Sequence, residues 1–551
     1  MEISPCEPGH RVPNVGRVIA GAPVDGFRPV WDSFSAFFFQ RDDVDAAFLV
    51  ELDHQRGTRR VWTVGDWQAR VRATGAWLQD QGVAPGTAVA TLAGNTADAL
   101  AIAYACWVLG ACLVPLNPAD SPDRQRFIVR DAEAHLLVHG DDGAGRAAEL
   151  ARDGLRILPA SELPAGEDAT GVPPAAGLDS VALRVYTSGT TGDPKGVVLT
   201  AANLLTDCDA LALGLDWPAG TRILTVLPVH HVNGLVISSL LPWYSRLSTV
   251  LCDRFRSETF WADVAREGAT VCSVVPSLLE FLLRSPGEAP DCFREFLCGA
   301  GPLLVETALD FEQRFSRPIR HLYGLSETTA VVTLMPRLSD GDRTRWHRDY
   351  GFPSIGPVLP HVEVAVLDAE GNRIGTGERG ELAVRGAVVM REYASQPEAT
   401  AAVFQGGWFH SGDEGFWQPG PDGRPYLFIT GRIKELIVRG GSNVSPFEVD
   451  SVLRSHPAVE YALAIPFENR FYGEEIAAYV VPNRQVTEAE ILAHCARYLD
   501  FARCPKVVVF GDDVPYTATG KAKRLELKQR LAGALREYRD VQFRRSRSVV
   551  P

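Results

Sequence analysis

The sequence predicts an α/β protein in two parts. A large N-terminal domain of helix-covered, mainly parallel sheets carries a small antiparallel, barrel-like unit, and a small α+β C-terminal domain follows. Three observations predict this. From about residue 60 to 330, apolar helix-like segments alternate with short apolar strand-like runs, the rhythm of parallel strands joined by helical crossovers. After about 355, short runs separated by Gly, Asp and Asn turns replace that rhythm. Past Gly431, two helix starts flank two further strand-like runs. A chain of 551 residues also exceeds one ordinary domain.

The elements follow in order. Strand-like runs are "AVATLAG" (88–94), "LLVHG" (136–140), "RILTVLP" (222–228), "STVLC" (248–252) and "VCSVVP" (271–276), with helical stretches such as "SETFWADVAREG" (257–268) between them. The uncharged stretch 99–116, "ALAIAYACWVLGACLVPL", is long enough to suggest a membrane span. Asn95, Thr96 and Asp98 mark a helix start, Gly110 its stop, and "ACLVP" a buried strand, so the stretch reads as a buried helix followed by a strand. The antiparallel unit, about 355–430, contains "VEVAVLDAEGNRI", "RGELAVRG" and "DGRPYLFITG". In the last part Ser445 is the expected N-cap, with Pro446 at the first helical position and Glu448 closing a capping box. Strand-like runs at 461–466 and 476–481 follow, and then a helix from Thr487 with Glu490 at its capping-box position.

Composition narrows the function classes. Apolar content of 46% and charged content of 22% suit a globular protein. A net charge of −13 argues against a general nucleic-acid binder, but not against a small anionic ligand met by a local cation. Ten scattered cysteines without a CxxC pair predict a reduced, cytoplasmic protein with neither a disulfide framework nor a cysteine metal site. Residues 1–26 lack the apolar run of a signal peptide. The basic end "FRRSRSVVP" reads as a solvated tail.

The chemistry concentrates in "TSGTTGDPKG" (187–196), set between the apolar runs "VALRVY" and "VVLT". Glycines allow backbone N–H groups to approach a ligand closely, hydroxyls add donors and Lys195 adds a point charge. Thr187, Ser188, Gly189, Thr190, Thr191, Gly192 and Lys195 together suit a polyphosphate. A Walker A loop is ruled out, because Lys195 lies between Pro194 and Gly196 rather than before Ser or Thr.

This decapeptide resembles the signature loop of the AMP-forming, adenylate-forming enzymes, especially the acyl-CoA synthetases (fatty-acid and aryl-acid CoA ligases). "LPVHHVNG" (227–234), "CGAGPL" (298–303), "YGLSETT" (323–329), "WFHSGD" (408–413), "GRIKELIVRGGSNVSPFEVD" (431–450) and "PYTATGK" (515–521) follow in that family's order. The resemblance covers about residues 60–530.

The resemblance implies two half-reactions. A carboxylate attacks the α-phosphate of ATP to give acyl-AMP and pyrophosphate, and the thiol of coenzyme A then displaces AMP. Catalysis of the first step must offset charge and position groups. Glu327 is implied as the Mg2+ ligand and Ser326 as an α-phosphate partner. Gly299, Ala300, Gly301 and Pro302, with Tyr323 and Gly324, are implied as adenine walls. Asp413 and Arg432 would hold the ribose, and Lys521 would span the carboxylate and the α-phosphate during adenylation. His231 would sit beside the acyl carboxylate, with Val232, Asn233, Gly234, Leu325 and Val331 around the acyl pocket. Here "HH" stands where Phe-His is more usual, so His230 shares the assignment.

The implied domains are 1–430, a hinge at 431–434 including Lys434, a mobile 435–545 carrying Lys521, and a tail at 546–551. Gly440 and Gly441 would line the thiol tunnel. Expected partners are a small carboxylic acid and possible carrier protein, with no nucleic acid and no membrane span, in a monomer or homodimer. An adenylating enzyme that passes acyl-AMP to a partner's thiol stays open as an alternative, and so does a non-catalytic nucleotide-binding protein.

Overall fold

The computed structural model describes residues 18–20, 29–165, 176–187, 194–301, 303–339, 341–342, 349–350, 353–440, 442–516 and 522–544. Ser188, Gly189, Thr190, Thr191, Gly192, Pro302, Gly441, Lys521 and the tail lie outside them.

Two large sheets form the N-terminal part. One has eight strands, in the order Thr333–Leu334, Ile319–Tyr323, Glu295–Cys298, Val271–Val274, Arg222–Thr225, Ser248–Cys252, Ala47–Asp53 and Thr58–Thr63. Its inner pairs are parallel, and the pair at each edge is antiparallel. The other has seven, in the order Glu392–Tyr393, Lys195–Thr200, Val181–Thr187, Cys112–Pro115, Ala88–Leu92, Leu136–His139 and Arg156–Pro159. Ser248–Cys252, Val271–Val274, Ala88–Leu92 and Cys112–Pro115 are buried along their whole length, which is why they read as unbroken apolar runs rather than alternating ones.

The uncharged stretch resolves as expected. Helix Ala97–Leu109 starts at Thr96, whose side chain accepts from the Ala99 N–H, and stops at Gly110 with φ 71°. A Cβ at Gly110 would meet the Ala176 Cβ at 2.1 Å, so glycine is required there both for backbone and for space. The 257–268 helix is shorter than its pattern and runs Phe260–Glu267 to a left-handed Gly268. Among the described residues no helix is long and apolar enough to cross a membrane. The nine described cysteines are free, and all but Cys292 are buried.

An aromatic seam joins the two sheets. Short helix Phe34–Phe39 inserts Phe38 against Trp243, stacked at 4.4 Å, and against Tyr104 at 5.4 Å. Trp67, Trp107 and Trp243 are all fully buried around it. Each such ring removes roughly 150–250 Å² from water, so a six-residue helix makes a large apolar contact.

The 355–430 region forms an antiparallel sheet through Val362–Leu367, Gly380–Gly386 and Trp408–Pro419, the last also paired with Pro425–Arg432. Beyond it, Val459–Asn469 and Gly473–Pro482 pair antiparallel within a five-stranded sheet. Helices Pro446–Arg454 and Glu488–Tyr498 pack with this sheet around a separate apolar core. Thr487 and Glu490 form the expected capping box. Ser445 caps its helix too, but Glu448 does not close the box and pairs with Arg503 at 2.8 Å. The Ser445 hydroxyl donates to the Thr430 carbonyl, and a charge-assisted bond outcompetes a neutral amide for Glu448.

Candidate active site

The strands flanking the glycine-rich loop are antiparallel neighbours, with Thr187 opposite Lys195. A Cβ on Gly196 would come within 2.9 Å of the Tyr186 ring, so the strand can cross that ring only as glycine. The two-residue strand Glu392–Tyr393 adds to the sheet edge with Tyr393 opposite Val197. This places the Tyr393 ring 4.8 Å from Lys195 Nζ. The Tyr393 hydroxyl donates to Glu327 Oε1 at 2.9 Å. Burial, and then the Glu327 charge, push the Tyr393 phenol far above its usual range, so it stays a donor. Glu327 is set in a 3₁₀ turn, Ser326–Thr328, where its carbonyl accepts from Met390 N at 2.7 Å and the Leu325 N–H donates to Thr328 Oγ1 at 2.9 Å. Ser326 and Glu327 are half-buried.

Strand Ile319–Tyr323 brings a second group to the same end of the sheet. The Tyr323 hydroxyl donates to Asp413 Oδ2 at 2.8 Å, and Arg432 Nε meets Asp413 Oδ1 at 2.7 Å. Asp413 and Arg432 are register partners on adjacent strands, so the ion pair follows from the ladder itself. Asp413 is only 4% exposed. Burial, reinforced by the Asp413 charge, holds the Tyr323 phenol well above its ordinary range. For Arg432, burial works to lower the pKa, but Asp413, Tyr323 and Glu327 together raise it. Beside this group, Gly299 presses its backbone on Leu322, where a Cβ would lie 2.3 Å from a methyl carbon, and Ala300 takes φ 62°. Gly301 is half-buried next to them.

A further set of residues lies around "HHVNG". His230 and His231 are half-buried with ring centroids 4.5 Å apart. Burial, and then His231, push His230 down to about 3, so it is neutral at physiological pH. Asn233 opens a π-helix, Asn233–Leu240, a form often found at functional sites, and accepts from Ser273 Oγ at 2.8 Å. A Cβ on Gly234 would strike the Pro228 carbonyl at 2.4 Å. Val232 and Leu325 are half-buried, while Val331 is fully buried.

Lys434 is exposed in the turn Ile433–Glu435, and Gly440 takes φ 57° with its N–H on the Tyr472 carbonyl. The last domain docks on the first through Arg454 to Glu280 at 2.5 Å, Ser451 to Glu306 at 2.9 Å and Arg284 to Glu460 at 2.6 Å.

The structure thus gathers Lys195, Glu327, Tyr323, Asp413 and Arg432, and it adds residues that the sequence did not reveal. Tyr393 links Lys195 to Glu327 from a strand too short to show a period. Asn95, expected only at a helix start, clamps the backbone before His230 by donating to the Leu227 carbonyl at 3.0 Å and accepting from Val229 N at 2.9 Å. Among the described residues no group of three or more His, Cys, Asp or Glu side chains gathers. Mg2+ does not need one, because it is commonly held by one or two carboxylates and substrate phosphates. Glu327, an oxygen donor whose hydrogen-bond partner is a phenol rather than a cation, fits that role.

Comparison with known proteins identifies the family. A family model for AMP-binding enzymes matches residues 39–394, and one for the AMP-binding enzyme C-terminal domain matches 448–521. The chain is 34% identical over 449 residues to a sulfoacetate–CoA ligase of Cupriavidus necator, covering 79% of this chain and 85% of that one. It is 31% identical over 473 residues to a feruloyl-CoA synthase of an Amycolatopsis species, covering 85% and 94%. The crystal structure of ATP-bound MatB from Rhodopseudomonas palustris aligns with a TM-score of 0.82 at 27% identity, over 91% of this chain and 99% of that one. The chain belongs to the AMP-binding enzyme family, the AMP-forming adenylate-forming superfamily, as an enzyme of its acid–CoA ligase type.

Proposed function

We propose that the protein activates a monocarboxylic acid with an uncharged remainder as its acyl-AMP and then transfers the acyl group to coenzyme A. The observation that carries this reading is the convergence of Asp413, Arg432 and Tyr323 with Glu327 and Lys195 at one end of two sheets. In this reading Asp413, held by Tyr323 and Arg432, takes the ribose hydroxyls. Lys195 and the loop 188–193 meet the β- and γ-phosphates, and Ser326 meets the α-phosphate. Mg2+ held by Glu327 would screen the phosphate charges.

The substrate carboxylate, lying beside His231, attacks the α-phosphorus. A bond forms from its oxygen to phosphorus as the bond to the leaving pyrophosphate breaks. Lys521 offsets the charge that builds on the oxygens. The last domain then turns about 431–434, and Gly440 and Gly441 admit the pantetheine thiol. Its sulfur attacks the acyl carbon, AMP leaves, and the thiol proton is released. Hinge motions of this kind place a large backbone change on a few residues.

The acid class follows from charge. Segments 229–236, 299–301 and 325–332 contain no Lys or Arg, and His230 is neutral. None of these segments offers a second anionic group on the acid a lysine or arginine partner.

The test is a panel of aliphatic, aromatic and dianionic acids with ATP and Mg2+. Pyrophosphate is followed with and without coenzyme A, products are identified by mass spectrometry, and Lys521→Ala is the control. Acyl-CoA and AMP from monoanionic acids, lost in the variant, are expected. Acyl-AMP that never becomes acyl-CoA would restrict the chain to adenylation, and preference for a dianionic acid would overturn the substrate class.

A further inference from the structure

Glu327 sits on a loop that is strained where it leaves the site. Thr329 takes φ 65°, ψ −70°, and the Ala330 N–H donates to the Thr328 carbonyl at 2.8 Å across it. This is the γ-turn geometry that is rare and strained for a residue with a Cβ, more so for a β-branched one. Such conformations persist only where the surroundings over-determine them. Here Thr329 Oγ1 donates to the Val388 carbonyl at 2.7 Å. The loop also folds back on itself so closely that a Cβ on Gly324 would lie 2.1 Å from the Ala330 carbonyl oxygen.

The next hold comes from behind. Asp207, in helix Ala201–Leu215, is 0% exposed, and one carboxyl oxygen accepts from the Val331 N–H at 3.1 Å. Its other oxygen is buried without a hydrogen-bond partner. Burial raises the Asp207 carboxyl to about 8 against the opposing pull of the Val331 and Ala330 N–H groups, so the side chain is largely a neutral acid at pH 7. A buried carboxyl with a half-met hydrogen-bonding capacity is an expensive way to fill helix-layer space, which an apolar side chain would fill at lower cost. Its acceptor is aimed at the two residues that end the strained turn.

We propose that Asp207 is a positioning residue for adenylation. Its carboxyl grips the backbone at Val331, holds the Thr329 turn closed, and so sets where Glu327 presents its carboxylate to nucleotide-bound Mg2+. The inference rests on Glu327 being the metal's carboxylate, as in the function proposed above.

Three readouts test it on the full-length protein. The first is amide hydrogen exchange of a peptide covering 326–333, without nucleotide. The second is the Mg2+ dependence of acid-dependent ATP–pyrophosphate exchange. The third is the KM for the acid. Asp207→Ala is expected to speed exchange at 329–331 and raise the half-maximal Mg2+ concentration, each by about tenfold, with the acid KM unchanged. Asp207→Asn keeps an acceptor oxygen and is expected to stay within about threefold of wild type. Thr329→Gly placed in the Asp207→Ala background is expected to recover part of the Mg2+ shift, because glycine adopts this φ without strain.

If Asp207→Ala does not fold, Asp207→Ser, too short to reach Val331, is read in the same way. Wild-type exchange and Mg2+ dependence in the Ala or Ser variant would overturn the proposal, and so would an Asn variant as damaged as the Ala one. A Glu327→Ala variant with wild-type Mg2+ dependence would instead remove the metal assignment. The exchange rates alone would then decide whether Asp207 holds the turn.

Discussion

The Tyr323 hydroxyl donates to Asp413 at 2.8 Å across 90 residues of chain. With Arg432 on the other oxygen, the carboxylate is fixed in place before any ligand arrives. Asp413→Ala removes that acceptor and leaves a buried phenol and a guanidinium unmatched, so MgATP affinity is expected to fall by at least about 100-fold. Tyr323→Phe removes the hydroxyl but keeps the ring and is expected to cost about tenfold. Calorimetry with MgATP measures both, and an unchanged affinity for Asp413→Ala would take this pair out of the nucleotide site.

Tyr393 connects Lys195 to Glu327. Tyr393→Phe keeps the ring under Lys195 and removes the hydroxyl. It is expected to raise the KM for MgATP about three- to tenfold and leave the acid KM unchanged. Steady-state kinetics with both substrates varied in turn separates the two.

The docking of the last domain is ionic. Glu280 accepts from both Arg454 and Thr307, each at 2.5 Å, and Tyr516 lies within the electrostatic reach of both Arg454 and Glu280. Tyr516 therefore lies beside this pair. Arg454→Ala is expected to slow pyrophosphate release about tenfold while sparing thiolysis of supplied acyl-AMP. Equal loss in both half-reactions would mean that the pair only stabilises the fold.

His230 gives a pH test. Its folded pKa of about 3 lies below the ordinary value of 6.5. The unfolded chain therefore binds the proton more readily, and the contribution to stability, full above 6.5, is lost as pH falls toward 3. From pH 7 to pH 5, wild type is expected to lose about 2 kcal/mol relative to His230→Phe. Urea melts of both proteins at the two pH values check this, and parallel losses would show that His230 is not desolvated.

Much of the fold was legible because it rests on backbone demands. Strands buried on both faces need unbroken apolar runs, and Gly110 is needed for a left-handed turn. The charged members of the proposed nucleotide site come from motif order. Residues that act on a neighbour rather than on the ligand were not. Tyr393 sits in a two-residue strand, Asn95 is indistinguishable from a helix cap, and Asp207 lies in none of the motifs. Glu448 failed in the opposite direction, since its spacing fits a capping box but Arg503, 55 residues away, is the better partner. Tertiary charge overrode a local signal there.

The aromatic seam also divides the molecule optically. All 11 tryptophans precede residue 418, so residues 431–551 contain none. Trp67, Trp107 and Trp243, fully buried around Phe38 and Tyr104, place three of these indoles at the joint between the two large sheets. A melt followed by that emission tracks the first domain, whereas far-ultraviolet dichroism weighs both. Any gap between the two curves therefore measures, without a label, how far the last domain unfolds on its own.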